Sequence, residues 1–189
     1  MSFRSRDKRP LHSWAVWTLI EEHLSDPTNT DFVRTYVDSP GAVGVVVLHV
    51  DSLKALKGMS THDVDITLVS QYRAAFSQVM WEIPAGMRDV EGEPPQETAI
   101  RELAEEAGLS ANEMQYLGMM ASAPGLTNST VEIFAAAGLS DVPISRHGPE
   151  ELHMEVRRLS VHDALIEIRN GLIIDSKTII GVQWAAELF

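Results

Sequence analysis

Residues 86–109 read GMRDVEGEPPQETAIRELAEEAGL. Pro94 and Pro95 suit the first turn of a helix, where a missing N–H leaves nothing unsatisfied. Gly108 stands where a left-handed residue would end that helix, so the spacing predicts a helix over residues 94–107. On a wheel of about 100° per residue, Glu102, Glu105 and Glu106 share one narrow arc. Ala99, Ile100, Leu103, Ala104 and Ala107 form an apolar stripe able to dock on a sheet. The expected helix is therefore pinned from one side and presents its acids on the other, with Arg101 at i±4 from Glu97 and Glu105. A solvated acidic face is the ordinary explanation of such a pattern. In a partly desolvated cleft, however, mutual repulsion raises carboxylate pKa values, and a divalent cation removes that cost. With no cysteine in the chain and no clear histidine pairing, the donors select a hard ion, Mg²⁺ or Mn²⁺, over zinc. Such an ion shares itself with substrate phosphates. The residues point to a metal-assisted phosphoryl site.

Outward from this helix the chain is rich in strands. Residues 40–50, PGAVGVVVLHV, form a continuous β-branched run of the kind buried on both faces of a sheet. Residues 63–73 and 79–86 predict two more strands, the second stopped by Pro84 and Gly86. Strands follow at 116–121 and 130–136 around the turn SAPGLTNS, then a Pro/Gly/acid-rich loop at 139–151 and a strand at 153–160. Helices at 161–170 and 177–188, parted by Gly171, finish the chain. Residues 14–37 read as two strands around SDPTNTD, with a helix over 14–24 as the competing assignment. Residues 1–13 are polar, basic and expected to be mobile. This order predicts an α+β fold with a mixed sheet between helices.

The chain has 189 residues, 44% hydrophobic and 22% charged, which suits one globular domain with a small extension. Its net charge of −12 opposes non-specific binding to nucleic acid or anionic membrane. Any phosphorylated ligand then needs local Arg and Lys or a bridging cation. The basic N-terminus lacks an apolar segment behind it, and no run reaches the ~18–20 residues of a membrane span. A cytoplasmic protein is expected.

The central stretch resembles the Nudix box, G-x5-E-x7-R-E-U-x-E-E-x-G-U, where U is aliphatic. Glu93, seven further residues, and Arg101-Glu102-Leu103-Ala104-Glu105-Glu106-Ala107-Gly108-Leu109 fill its positions. The loop from Gly86 to Glu93 is one residue longer than the pattern. It lies upstream of the helix and leaves the register of the helical glutamates intact. The likeness extends over residues 34–181 through YVDSPGAVGVVVL, ITLVSQYR, WEIPAGMRDVEGE, SAPGLT and GLIIDSKTIIG, and points to the ADP-ribose pyrophosphatase branch. In that branch a proline stands sixteen residues past the box glycine, here Pro124. The usual Ser and acid after the Pro-Gly turn are replaced by Leu-Thr-Asn-Ser.

The resemblance implies an α/β/α sandwich with a mixed β-sheet over residues 40–189. An N-terminal β-hairpin extension over 1–39 would serve dimerisation. It implies that Glu102, Glu106 and the backbone carbonyl of Ala85 ligate Mg²⁺ (or Mn²⁺), with Glu105 a further ligand. Gly86, Glu93 and Arg101 would support the site. PEELHMEV, residues 149–156, matches the branch's mobile loop and implies Glu151 as general base, with Glu150 as the alternative. Glu82, Arg73, Arg34 and Pro124 would contact substrate. Trp17 could stack on an adenine, although a place in a dimer interface is the more ordinary use of it. The activity implied is Mg²⁺-dependent hydrolysis of a nucleoside diphosphate sugar, foremost ADP-ribose to AMP and ribose 5-phosphate. The alternatives are another nucleotide-sugar, a dinucleoside polyphosphate, or a regulator that binds ADP-ribose without cleaving it.

Overall fold

A computed structural model describes residues 2–146, 148–149 and 151–189. The chain divides into two compact units, Met1–Gly41 with Ala121–Thr130, and Ala42–Met120 with Val131–Phe189.

The first unit holds an antiparallel sheet of β1 (Arg4–Trp14), β2 (Trp17–Ser25) and β3 (Asp31–Asp38), in that order. The β2–β3 hairpin is the one expected around SDPTNTD, and it displaces the competing helix. Asp26 closes its turn, accepting from the N–H groups of Thr28 and Thr30 at 2.8 and 2.9 Å. The expectation of a mobile 1–13 segment is corrected, because Arg4–Trp14 is a strand. Its side chains are exposed throughout, so no apolar alternation marks it in the sequence. Charge marks it instead. Lys8 and Arg9 face Glu22 and Glu21 across the ladder, at 3.7 and 2.9 Å, pairs of opposite charge placed as cross-strand neighbours.

The second unit is built on a seven-stranded sheet. Its strands are β4 (Ala42–Leu48), β5 (Asp65–Arg73), β6 (Gln78–Glu82), β7 (Ala85–Met87), β8 (Leu109–Ala121), β9 (Thr130–Asp141) and β10 (Val156–Ser160). The order is β10-β5-β4-β9-β8, with β6 on β5 and β7 on β4. β4 runs parallel to β9 and antiparallel to β5 and β7, so the sheet is mixed. Its helices are α1 (Pro95–Ala107), α2 (Val161–Arg169) and α3 (Ser176–Ala186).

The β-branched run of β4 explains the layering. Its side chains alternate between faces. Val43, Val45 and Val47 pack with Ala99, Leu103 and Ala107 of α1. Val46 and Leu48 join Val161 and Ala164 of α2 and Val182 and Ala185 of α3. All five β4 side chains are fully buried, each contributing about 1.5–3 kcal/mol. The result is the α/β/α sandwich.

Two strand expectations change. The single strand over 79–86 is two strands, because the chain leaves β5 at Ile83-Pro84 and re-enters beside β4. Pro84 has no N–H for a ladder, but its carbonyl accepts from Val45 N–H at 2.9 Å. The strand placed at 116–121 begins at Leu109, immediately after the helix cap. Its polar start, LSANE, hid it.

Candidate active site

Gly108 ends α1 in the left-handed conformation, φ 67°, with its N–H on the carbonyl of Ala104, as the sequence predicts. The orientation of the helix differs from expectation. Glu102 and Glu106 are not on the side opposite the apolar stripe. They are 9% and 4% exposed, on the buried side with Thr98, Ala99 and Leu103. Ile100, assigned to the stripe, is exposed. The helix is rolled so that its acids meet strand β7.

That contact is close. A Cβ on Gly86 would lie 2.0 Å from Cδ of Glu102, so only glycine admits the carboxylate there. One residue earlier, Ala85 N–H donates to Oε2 of Glu106 at 2.9 Å. The jog at Pro84 brings both backbone positions under the helix.

Arg101 binds the acids together. Its Nη1 donates to Oε1 of Glu102 at 2.7 Å and to Oε2 of Glu105 at 3.4 Å. Nε and Nη2 reach Glu93 at 3.4 and 3.3 Å, and Thr98 Oγ1 donates to the same Glu93 at 2.8 Å. Burial works against the charge on Arg101. Its bonds to Glu93 and the charges of Glu102, Glu93 and Glu105 outweigh that and push its pKa up. The same bonds from Arg101 and Thr98 hold Glu93 below the usual carboxylate range. Arg101 and Glu93 thus join the loop to the helix.

As these side chains stand, no three His, Asp or Glu groups among the described residues form a metal-holding cluster, and Arg101 bridges Glu102 to Glu105. The donor chemistry nevertheless fits a hard divalent cation. It offers three carboxylates on one turn, two of them buried against backbone, and no sulfur.

Glu82, expected to contact substrate, is 2% exposed and already engaged. It accepts Nε and Nη2 of Arg73 at 2.8 and 2.6 Å, and Nζ of Lys177. Burial pushes the Glu82 carboxyl up, but these two cations outweigh it and hold it below the ordinary range. Its hydrogen bonds to Glu82 in turn raise the pKa of Arg73. Arg73 and Lys177 line a cleft of about 500 Å³ with Gln71, Ala85, Gly86 and Glu102, Glu105 and Glu106. Another cleft, about 600 Å³, is lined by Ser70, Tyr72, Val79, Trp81 and His153. Strand alternation puts Ser70 and Tyr72 on the face opposite Gln71 and Arg73, away from the carboxylates.

Arg34 and Pro124 belong to the first unit. Arg34 is exposed on β3, stacked 4.8 Å from the ring of Phe32. Pro124 sits in the tight turn closed by Leu126 N–H on Ala123 O at 2.8 Å. Glu150 lies outside the described residues, and Glu151 opens the 3-10 turn Glu151–His153.

Three participants were missed in the sequence. Lys177 and Asp175 had a signal, the helix-start pattern Asp-x-x-Thr of an N-cap. Arg146 had none. Its Nη2 donates to the Glu106 carbonyl at 2.8 Å and its Nη1 to the Met154 carbonyl at 2.7 Å, tying the β9–β10 loop to the end of α1.

A mixed sheet between helices, with an acid-bearing helix laid on a glycine of the strand before it, defines a hydrolase scaffold of the Nudix type. The fold is shared with a solved structure described as an ADP compounds hydrolase, at a TM-score of 0.79 and 16% identity, over 99% of this chain and 94% of that one. The NUDIX domain model matches residues 42–177, and the chain belongs to the NUDIX family. It is 32% identical to an ADP-ribose pyrophosphatase of Mycobacterium tuberculosis, over 95% of this chain and 81% of that one. An ADP-ribose pyrophosphatase of Bacillus subtilis shares 30% over 94% and 89%. A methanol dehydrogenase activator of Bacillus methanolicus shares 33% over 92% and 87%. The chain is a Nudix pyrophosphohydrolase, of a family whose members generally use a divalent metal. No helix among the described residues is long and apolar enough to cross a membrane.

Proposed function

We propose that this chain hydrolyses the diphosphate bond of nucleoside diphosphate sugars, with ADP-ribose, cleaved to AMP and ribose 5-phosphate, as the foremost substrate. Mg²⁺ is the proposed ion, with Mn²⁺ able to replace it. The observation that carries the proposal is the burial of Glu102 and Glu106 against Ala85 and Gly86, beside Glu105. Buried carboxylates are costly without a counter-charge. A divalent cation shared with a substrate diphosphate suits that clustered charge, and Arg73, Arg101 and Lys177 line the same cleft. The similarity to two ADP-ribose pyrophosphatases supports the substrate.

Glu102, Glu106 and the Ala85 carbonyl are proposed to hold the ion, with Glu105 as a further ligand. When bound, such an ion neutralises phosphate charge and lowers the pKa of a coordinated water. The chain's own residues do the rest. Glu93 and Arg101 hold the helix to its loop, and Arg73 binds the diphosphate through its guanidinium. Glu151 is the proposed general base, with Glu150 as the alternative. It takes the proton of the attacking water as the bond from phosphorus to the bridging oxygen breaks. Arg34 and Pro124 are proposed as further substrate contacts. A homodimer in the cytoplasm, joined through the 1–39 extension, is proposed as the working form.

Incubation with ADP-ribose and Mg²⁺, followed by separation of AMP from intact substrate, tests this, with GDP-mannose and a diadenosine polyphosphate run alongside. AMP should appear, and Glu106→Gln should abolish its metal-dependent release. No cleavage of any of the three with Mg²⁺ or Mn²⁺ overturns the proposal. The likeness to a methanol dehydrogenase activator favours a second reading, a regulator that binds nucleotide without cleaving it. The complete set of box acids weighs against that, and the same assay separates the two.

A further inference from the structure

Lys177 is 9% exposed, a degree of burial that lysine tolerates only when paired. It follows the cap of α3, where Asp175 accepts from Thr178 N–H at 2.9 Å and Thr178 Oγ1 at 2.6 Å. Asp175 also pairs with Lys177 Nζ at 3.1 Å. Thr178 Oγ1 in turn accepts the N–H of Ile83 at 2.9 Å, so the start of α3 is bonded to the residue beside Glu82. Lys177 Nζ reaches Oε2 of Glu82, the oxygen that also takes Nη2 of Arg73. A chain of alternating sign results, Asp175–Lys177–Glu82–Arg73. It runs from the cap of one helix to the cleft under another.

The sum of these four charges is zero. The two-pronged bond from Arg73 to Glu82 sets the plane of the guanidinium, and Glu82 is itself held by Lys177. Arg101, the remaining cation lining the cleft, is bonded to Glu93, Glu102 and Glu105. Arg73 and Lys177 are the cleft's cations outside that acid cluster, and Glu82 joins them.

We infer that Lys177 is a positioning residue for the substrate diphosphate, holding Arg73 at the cleft through Glu82 and keeping the buried quartet neutral. This rests on the proposed reading of the cleft as a diphosphate site. Without Lys177 the quartet carries one net negative charge, close to the box glutamates. Glu82 then loses one of its two cationic anchors, the Arg73 guanidinium that it orients is held less firmly, and an approaching diphosphate is repelled. The loss falls on substrate binding and leaves the chemical step.

Lys177→Met and Lys177→Arg are compared with the unaltered chain, using ADP-ribose with Mg²⁺ as probe. Lys177→Met should raise KM about tenfold with kcat within about twofold, the pattern of lost uniform binding. Lys177→Arg should restore most of it. A residue with a merely structural role would lower thermal stability and leave KM in place. The second readout is the Arg73 Nε–H resonance, assigned by its disappearance in Arg73→Lys. Its solvent exchange should quicken in Lys177→Met and slow again in Lys177→Arg. An unchanged KM, a fall in kcat alone, or an unchanged Nε–H signal overturns the inference. If the unaltered chain cleaves no nucleoside diphosphate sugar, the functional proposal fails by itself. The resonance still decides whether Lys177 governs Arg73.

Discussion

A Cβ on Gly86 would overlap the Glu102 carboxyl carbon, so Gly86→Ala must drive that carboxylate away from the backbone while leaving β7 a strand that alanine also accepts. The variant should fold and weaken the apparent affinity for Mg²⁺ on the order of 10–100-fold, read from the Mg²⁺ dependence of turnover. An unshifted midpoint would place the ion elsewhere. Glu82 is a single residue with consequences for stability instead. Glu82→Gln removes the charge shared by Arg73 and Lys177 and should cost on the order of 3 kcal/mol. The sign of its pH dependence follows from the direction of its shift. Burial raises the Glu82 carboxyl, Arg73 and Lys177 outweigh that, and the folded pKa lies below the ordinary 4.5. A depressed folded pKa stabilises above the ordinary value and loses that contribution as pH falls through the folded one. Urea midpoints of the unaltered chain should therefore fall more steeply below about pH 4.5 than those of Glu82→Gln.

Thr178 links two elements, since its hydroxyl donates to the α3 cap and accepts from Ile83 N–H between β6 and β7. Thr178→Val keeps the shape, deletes both bonds and orphans a buried N–H, at about 1–3 kcal/mol. Denaturant unfolding measures the loss, and amide exchange at Ile83 should quicken. A neutral substitution would mean that another acceptor takes the N–H. At this scale the sequence was uneven as a guide. Helix α1 was legible because Pro94, the box acids and Gly108 mark its ends and its register. Its roll was not, because helical periodicity assumes that carboxylates face water, and here Glu102 and Glu106 face backbone. Strand β1 was invisible because its side chains are exposed throughout and its backbone ladder with β2 leaves no apolar alternation in the sequence. The split of β6 from β7 could be read only in part. Pro84 announces a stop, but not the transfer to a different neighbour. The partners of Glu82 were not legible, since Arg73 and Lys177 lie 9 and 95 residues away, and one sequence does not show that they meet.

Across the whole molecule, a net charge of −12 means that any multivalent cation is attracted everywhere, so specific binding must be separated from screening. Linkage provides the separation. An ion that binds the folded form alone stabilises it by RT ln(1 + [L]/Kd), about 2.7 kcal/mol at a hundredfold excess over Kd. For a chain of this size each kcal/mol moves Tm by roughly 2–4 °C, so saturating Mg²⁺ should raise Tm by about 5–11 °C. Because the chain forms two compact units, its unfolding need not be two-state. The ion, if held by α1 and β7, should move only the transition of the unit containing residues 42–120. Calorimetry with Mg²⁺, with EDTA, and with NaCl at matched ionic strength tests this directly. The Mg²⁺ shift should exceed the NaCl shift, and Glu106→Gln should abolish the difference. A difference that survives in Glu106→Gln would show the ion to be collected by the acidic surface at large. The buried glutamates would then be structural acids, and their place against Gly86 a feature of packing alone.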